Sequence, residues 1–284
     1  MKTIQWFPGH MTKAMRMMRE QLSLVDGVIF VLDARCPAAS FNPKLKELAG
    51  AKPVLYVFNK GDLADERTDI LLKAVTESGA AAIKINSINA SSKRDIAGAI
   101  SKLVAKKREA ALEKGFNKTF RFMVAGVPNT GKSTLINLLA GSGRAETGNK
   151  AGVTRGKQWV RCDGFDLLDT PGTMPPSFDN QYLALHLAYV GSINDDILDM
   201  DDIALALLSE LSEKYLSRLT ERYGIEGGEP LEMLEEVCRH RGFMLRGGEY
   251  DYERGERAVI DDFRKGRLGR ITLDKVEDIR GLRF

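Results

Sequence analysis

GVPNTGKS, at residues 126–133, lies between an apolar run at 120–125 (FRFMVA) and a helical pattern at 134–140 (TLINLLA). It matches GxxxxGK[ST], a loop in which glycines let backbone N–H groups close around a phosphate. The strand before it and the helix after it are the context that this motif requires, and the helix N-terminus adds partial positive charge. We therefore predict a phosphate-binding loop (P-loop) rather than an ordinary glycine-rich turn. The nucleotide-binding candidates in this region are Asn129, Thr130, Gly131, Lys132, Ser133 and Thr134.

Three side chains in and after the P-loop suit phosphate chemistry. Lys132 can neutralise charge on the β- and γ-phosphates, and Ser133 can ligate Mg²⁺ through its hydroxyl. Thr154 lies in a basic loop further along the chain. It is a candidate to close on Mg²⁺ and the γ-phosphate, as a switch threonine does; an ordinary loop threonine is the alternative. Lys132 and Thr154 are therefore also candidate catalytic residues.

DTPG, at residues 169–172, follows a short apolar run at 165–168. Its position downstream of the P-loop is that of a Walker-B-type element, with a plain turn as the alternative. Asp169 is the candidate Mg²⁺ ligand, and the Gly172 N–H is placed to reach a γ-phosphate.

NKGD, at residues 59–62, follows the apolar run 54–58 and matches NKxD. The Asp62 carboxylate can accept hydrogen bonds from guanine N1–H and from the exocyclic amine, and a buried carboxylate there would reject adenine. The match is weak alone and strong beside a P-loop, and it argues against a P-loop kinase or ATPase. Asn86 and Ser87, after the run 81–85, are candidates for the loop that supports the guanine ring. The four binding candidates in NKGD are Asn59, Lys60, Gly61 and Asp62.

The pattern of elements predicts two domains. Up to DTPG, short apolar runs alternate with helical stretches such as 67–78 and 93–114, which is typical of an α/β domain with a largely parallel sheet. The six apolar runs, each a predicted strand, are 27–32, 54–58, 81–85, 120–125, 158–162 and 165–168. From about residue 180 onwards the pattern is helical. We predict an α/β domain over residues 1–177 and a smaller, mainly helical domain over 178–284.

The charge is divided unevenly along the chain. The net charge is +3 overall, but residues 1–175 hold 27 Lys+Arg against 16 Asp+Glu, residues 176–238 hold 3 against 14, and residues 239–284 hold 12 against 9. Two basic regions flanking an acidic one favour a polyanionic partner such as nucleic acid, although a phosphate-binding enzyme also needs positive charge. No run approaches the ~20 apolar residues of a membrane span. Three scattered cysteines and no apolar leader indicate a reducing, cytoplasmic setting.

The motifs occur in an unusual order. NKGD precedes the P-loop, and DTPG comes last, whereas in ordinary small GTPases the P-loop precedes NKxD. The order is that of a circularly permuted GTPase domain, which keeps its site when the original termini lie close together. DTPG then leads directly into the helical domain.

The chain resembles the circularly permuted GTPases, and in particular those of ribosome biogenesis. The resemblance spans essentially the whole chain. It rests on WFPGHM (6–11), DAR (33–35), the permuted motifs and RKGRLGR (264–270). It implies a permuted P-loop GTPase domain followed by a helical RNA-binding domain. It further implies a GTPase that binds the large ribosomal subunit late in its assembly, contacts rRNA and ribosomal proteins, and is stimulated by that particle.

The resemblance also implies individual roles. Thr173 and Met174 follow DTPG, where ordinary GTPases carry a glutamine, and neither can replace it; the resemblance indicates His10 as the residue that orients water, with rRNA contact as its alternative role. Asn129 is a candidate ligand for K⁺, with support of the loop as the alternative. The candidate RNA contacts are Arg264, Lys265, Arg267 and Arg270.

A second class of function stays open from the sequence. The chain could be a GTP-dependent rRNA-binding scaffold whose hydrolysis is incidental. We expect a monomer away from the ribosome in either case.

Overall fold

The computed structural model describes residues 3–5, 9–140, 158–175 and 177–284. The chain divides into two compact units. The sheet unit comprises Gln5–Asp179 and Thr272–Phe284, and the helical unit comprises Met1–Ile4 and Asn180–Ile271. The predicted architecture, an α/β fold followed by a helical region, is confirmed. Within these described ranges no helix has the length and apolar character needed to span a membrane.

The sheet is built from short apolar segments. The strands are β1 (Gly27–Asp33), β2 (Val54–Asn59), β3 (Ala81–Lys84), β4 (Phe120–Ala125), β5 (Gln158–Cys162) and β6 (Phe165–Asp169). In the described part of the chain they form one sheet in the order β3-β2-β1-β4-β6-β5. Neighbours are parallel except β5, which is antiparallel to β6. Both predictions, of a largely parallel sheet and of its strand segments, are confirmed.

The helices of the sheet unit include those predicted over 67–78 and 134–140. They are α1 (Gly9–Gln21), α2 (Pro37–Ser40), α3 (Pro43–Ala49), α4 (Arg67–Glu77), α5 (Ser92–Leu103), α6 (Ala105–Glu113), α7 (Lys132–Ala140) and, near the C-terminus, α12 (Val276–Arg280). The single helix predicted over 93–114 is divided at Val104, whose φ of −112° and ψ of 10° are not helical.

One apolar core lies against the central strands. Val31, Val57 and Val124 are fully buried and belong to the same cluster as Ile96 of α5 and Leu135 of α7. Parallel strands covered by helices are buried on both faces, which explains why β1 and β2 are continuous apolar runs. This core holds the carboxyl ends of the strands in fixed positions.

The end of the chain departs from the predicted domain boundary. Residues 272–284 belong to the sheet unit, although the sequence pattern assigned them to the helical domain. The Leu273 N–H donates to the Arg35 carbonyl at 2.8 Å. The Phe284 ring lies 4.6 Å from the ring of Phe41 and 5.1 Å from that of Tyr56. These tertiary contacts decide the placement, and local sequence pattern does not encode them.

The helical unit is formed by α8 (Gln181–Tyr189), α9 (Met200–Tyr223), α10 (Pro230–Arg241) and α11 (Tyr252–Arg264). The last three pack against one another. Gly224 and Gly242 end α9 and α10 in the left-handed conformation, with φ of 76° and 66°, which glycine adopts without steric cost. A break in helical geometry at Tyr215, with φ of −141°, bends α9.

Candidate nucleotide site

The predicted motifs begin at the carboxyl ends of parallel strands. The P-loop follows β4, NKGD begins on the last residue of β2, and DTPG begins on the last residue of β6. Parallel strands end at the same edge of the sheet, and open α/β sheets bind their ligands at that edge. The fold therefore brings together motifs that are far apart in the sequence.

The P-loop backbone is tightly constrained. Gly126 has φ of 152° and Gly131 has φ of 90°. A side chain at Gly126 would collide with the Val31 carbonyl oxygen, and one at Gly131 would collide with Asn59 Nδ2. Asn129 adopts φ of 60°, a conformation uncommon outside glycine. This path turns backbone N–H groups inward, as a phosphate site requires.

Asn59 connects three of the predicted segments. It is fully buried, and its Nδ2 donates to the Thr130 carbonyl of the P-loop at 2.8 Å. Its Oδ1 accepts from the Ser87 N–H at 3.0 Å. The neighbouring Asn86 is half-buried. NKGD, the P-loop and the 86–87 loop therefore lie side by side.

Lys132 and Ser133 begin α7. Lys132 Nζ donates to the Val127 carbonyl at 2.8 Å. Burial lowers the pKa of Lys132 to about 8, although the Asp169 carboxylate opposes that shift. Ser133 Oγ donates to Asp169 Oδ2 at 3.1 Å. A hydroxyl and a carboxylate held this close are hard oxygen ligands of the type that Mg²⁺ takes, so the residues present fit that ion.

DTPG packs directly on the P-loop. A side chain at Gly172 would lie 2.7 Å from the Pro128 Cα. The Thr173 N–H donates to the Gly126 carbonyl at 3.2 Å, and the Asn42 side chain donates to the Thr173 carbonyl at 3.1 Å. Thr173 and the Met174 that follows it are both buried.

The sequence argument considered a buried carboxylate at Asp62. Its carboxylate is exposed, because it sits in the turn after β2 rather than in the core. The turn itself is fixed: the Gly61 N–H donates to the Ile85 carbonyl at 2.9 Å. Lys60 has φ of 58°. In the protein alone, the Asp62 side chain is therefore accessible to a ligand.

The sequence is similar to those of known GTPases. A family described as "50S ribosome-binding GTPase" matches residues 121–225. Ribosome biogenesis GTPase A of Bacillus cereus is 40% identical over 280 residues, covering 97% of this chain and 95% of that protein. The protein of that name from Thermotoga maritima is 31% identical, with coverage of 97% and 96%.

The chain belongs to the ribosome biogenesis GTPase A family.

Solved structures show the same fold. The GDP-bound structure of TM YlqF superposes with a TM-score of 0.66 at 27% identity, covering 92% of this chain and 100% of that one. The GNP-bound YlqF from T. maritima also superposes with a TM-score of 0.66, at 28% identity. As a member of the ribosome biogenesis GTPase A family, this protein is a GTP-hydrolysing enzyme of ribosome biogenesis, and a GTPase domain of this kind uses Mg²⁺. A P-loop kinase or ATPase is thereby excluded.

Two residues predicted for this GTPase cannot be placed. Thr154 lies outside the described residues. His10 belongs to the first turn of α1, but its side chain also lies outside what the structure describes.

The four predicted RNA contacts of this GTPase differ in their surroundings. The Arg264 guanidinium donates to both carboxylate oxygens of Asp195 at 2.7 Å and to the carbonyls of Ala188 and Tyr189 at 2.8 and 3.0 Å. These bonds hold the Arg264 guanidinium within the helical unit, where the side chain is 20% exposed, and its contact with RNA stays a prediction. The other three candidates, Lys265, Arg267 and Arg270, are exposed. Lys265 and Arg267 also form ion pairs, with Asp261 at 2.6 Å and with Asp262 at 2.8 Å.

The acidic region has a structural explanation in part. Asp195 is the partner of Arg264. Asp201 and Asp202 lie in the first turn of α9, where negative charge is stabilised by the helix dipole. Burial and a hydrogen bond with Asp201 raise the pKa of Glu256, in α11, to about 7. Sequence reasoning missed these relations, because paired and solvated charges look alike in a sequence.

Proposed function

We propose that this GTPase binds the large ribosomal subunit during late assembly and that the particle stimulates its hydrolysis of GTP. The observation that carries the proposal is the similarity to ribosome biogenesis GTPase A over 97% of the chain, helical unit included. The matching family is also described as binding the 50S ribosome. Ribosome assembly implies action in the cytoplasm, and we expect a monomer away from the particle.

The residues of the candidate site have distinct roles in this proposal. Asp62 reads guanine, and the loop at Asn86 and Ser87 supports the ring. Backbone N–H groups from Asn129 to Thr134 and of Gly172 bind phosphates, and Lys132 neutralises their charge. Ser133 and Asp169, 3.1 Å apart, would hold Mg²⁺, with Thr154 as a third candidate. When bound, Mg²⁺ neutralises charge on the phosphate oxygens.

The attacking water needs a group to orient it. Thr173 and Met174 are buried, so neither is available. We assign this role to His10, because the family resemblance favours it and a neutral imidazole can orient water near pH 7. Replacing His10 with alanine should abolish stimulated hydrolysis while GDP affinity is retained. Stimulated hydrolysis that survives in this variant would remove His10 from the mechanism.

Asn129 is our candidate ligand for K⁺. Its carboxamide oxygen is a ligand type that this cation accepts, and it lies within the P-loop. Turnover should be faster in K⁺ than in Na⁺ at matched ionic strength, and an Asn129→Ala variant should lose that difference. Equal rates for the unmodified protein would contradict the assignment.

The basic regions provide contacts for rRNA. Residues 93–121 hold nine Lys+Arg against three Asp+Glu; in the helical unit Lys265, Arg267 and Arg270 are exposed. Lys and Arg side chains that bind rRNA phosphates displace the counterions held there. The affinity for the subunit should therefore fall steeply as the salt concentration rises.

The decisive experiment measures binding to large subunits with GDP and with a non-hydrolysable GTP analogue, together with hydrolysis with and without subunits. The proposal expects preferential binding in the GTP state and a large increase in turnover on the particle. Binding in the GTP state without an increase in turnover would favour the scaffold. No binding in either state would reject both.

A further inference from the structure

Asp33 and Arg35, of the DAR segment at the end of β1, form a buried ion pair that the site described above does not use. Arg35 Nε donates to Asp33 Oδ1 and Arg35 Nη2 donates to Asp33 Oδ2, both at 2.9 Å. Asp33 is fully buried and Arg35 is 2% exposed. Such a bidentate pair fixes both planar groups in one orientation.

The same carboxylate holds Lys60 of NKGD. Lys60 Nζ lies 2.9 Å from Asp33 Oδ2, and the Lys60 side chain is 23% exposed. The positive φ of Lys60, 58°, is a backbone conformation that persists only where surrounding contacts determine it. Asp33 therefore orients Lys60, which lies two residues before Asp62.

The charges explain why Lys60 needs this partner. Lys60 lies close enough to Lys132 to contribute to the lowering of the pKa of Lys132. The two ammonium groups repel each other. Burial raises the pKa of Asp33, but Arg35 and Lys60 together hold it well below its usual range. Asp33 is therefore ionised and offsets the repulsion.

We propose that Asp33 and Arg35 are positioning residues that hold Lys60 and thereby set the affinity of the site for guanine nucleotides. The inference rests on the proposed role of NKGD in guanine recognition. Asp33 and Arg35 act through Lys60 and not by touching the base.

The C-terminal segment also forms hydrogen bonds with the loop that contains Arg35. The Leu273 N–H donates to the Arg35 carbonyl at 2.8 Å. Asp274 Oδ2 accepts from the N–H groups of Ala38 and Ala39 at 2.6 and 3.2 Å. Leu273 and Asp274 directly follow the helical unit. Because both bond to the loop that contains Arg35, they help to hold Arg35 in place.

A double-mutant cycle on GDP affinity tests the proposal. The variants are D33N/R35Q, which removes both buried charges together so that neither is left unpaired, K60M, and the triple variant. D33N/R35Q and K60M should each weaken GDP binding about tenfold. The triple variant should bind GDP no more weakly than K60M, because Asp33 acts through Lys60. Unchanged affinity in D33N/R35Q, or losses that multiply to about a hundredfold, would overturn the proposal.

Two further measurements separate this effect from unfolding. R222Q/D262N neutralises an ion pair in the helical unit, where Arg222 Nε lies 2.8 Å from Asp262 Oδ2 and Arg222 is 30% exposed. This variant should lower Tm without changing GDP affinity. If D33N/R35Q does not fold, D274N replaces it and should weaken GDP binding about threefold in the unmodified background but not beside K60M. Equal losses in both backgrounds would overturn the proposal.

A last measurement separates two failures: that NKGD does not read guanine, and that Asp33 and Arg35 do not position Lys60. The unmodified protein should bind GDP in preference to ATP, and D62N should weaken GDP binding. If neither holds, NKGD does not read guanine. If both hold and the cycle is additive, only the positioning role is wrong.

Discussion

The Asn59 side chain joins NKGD to the P-loop, because its Nδ2 lies 2.8 Å from the Thr130 carbonyl oxygen. The two motifs are about 70 residues apart in the chain, and this bond transmits the position of one to the other. In the ordinary order of GTPase motifs the P-loop comes first. The bond here shows that the permuted chain still assembles one site.

Replacing Asn59 with alanine should weaken GDP binding about tenfold or more and destabilise the sheet unit by about 1–3 kcal/mol, because the buried Thr130 carbonyl and Ser87 N–H lose their partner. Fluorescence titration with labelled GDP and thermal unfolding would measure the two effects. Asn117→Ala, at an exposed position, is the control and should change neither. Full GDP affinity in Asn59→Ala would show that the bridge is dispensable.

Gly131→Ala should abolish measurable nucleotide binding. A methyl group at Gly131 would collide with Asn59 Nδ2, and φ of 90° is strained for alanine. Gly98→Ala is the matched control, since nothing lies within 4 Å of a Cβ in the middle of α5. That control should bind GDP normally. Its free energy of unfolding should be higher by up to about 1 kcal/mol, which raises its Tm slightly. Normal GDP binding by Gly131→Ala would contradict the tight P-loop geometry.

The sequence predicted much of the sheet unit because its signals are local. The six apolar runs and the P-loop, NKGD and DTPG motifs each show their type within ten residues, and parallel strands necessarily bring the motifs to one edge. Long-range contacts carry no such signal. The bond between Leu273 and the Arg35 carbonyl joins residues that no local pattern relates, so the return of residues 272–284 to the sheet unit was not predicted.

The sequence also did not predict which charged side chains are paired and which are exposed. A run of arginines reads as a solvated face or an RNA contact whether or not its members are paired. Arg264 meets Asp195 at 2.7 Å, and this pairing across the helical unit cannot be read from either local sequence. The sequence likewise did not indicate that Asp62 is exposed, since burial of a turn residue depends on the surrounding elements.

GDP affinity should fall as pH rises through about 8, the pKa to which burial lowers Lys132. Above that pH the neutral amine no longer pairs with phosphate. Isothermal titration with GDP between pH 7 and 9 would measure the change, and Lys132→Arg, whose charge does not titrate in this range, is the reference. A pH profile identical to that of the reference would contradict the assignment.

The stability of the nucleotide-free protein should respond in the opposite direction. Between pH 8 and the ordinary lysine pKa of about 10.4, Lys132 binds more protons in the unfolded than in the folded state. This group therefore increases the free energy of unfolding as pH rises through that window. Denaturant unfolding of the unmodified protein and Lys132→Arg would isolate the difference.

Ser133→Ala and Asp169→Asn should each reduce the Mg²⁺-dependent part of GTP affinity about tenfold or more. Both side chains offer oxygen ligands, and they lie 3.1 Å apart. Their effect on GDP binding in the presence of a chelator should be smaller, about threefold or less. Comparing titrations with Mg²⁺ and with EDTA separates loss of the metal ligand from damage to the P-loop. Equal losses in the two conditions would show that these residues act on the loop and not through the ion.

Arg264→Gln should affect stability, whereas Arg270→Gln should affect binding to large subunits. Arg264 donates to Asp195 and to two backbone carbonyls, so its loss should destabilise the helical unit by about 1–3 kcal/mol, as measured by thermal unfolding. Arg270 is exposed, so its replacement should leave Tm unchanged while it weakens binding to large subunits and lowers the slope of log affinity against log salt by about one. A lower salt slope in Arg264→Gln at unchanged Tm would instead support Arg264 as an RNA contact. A lower Tm in Arg270→Gln would remove Arg270 from that surface.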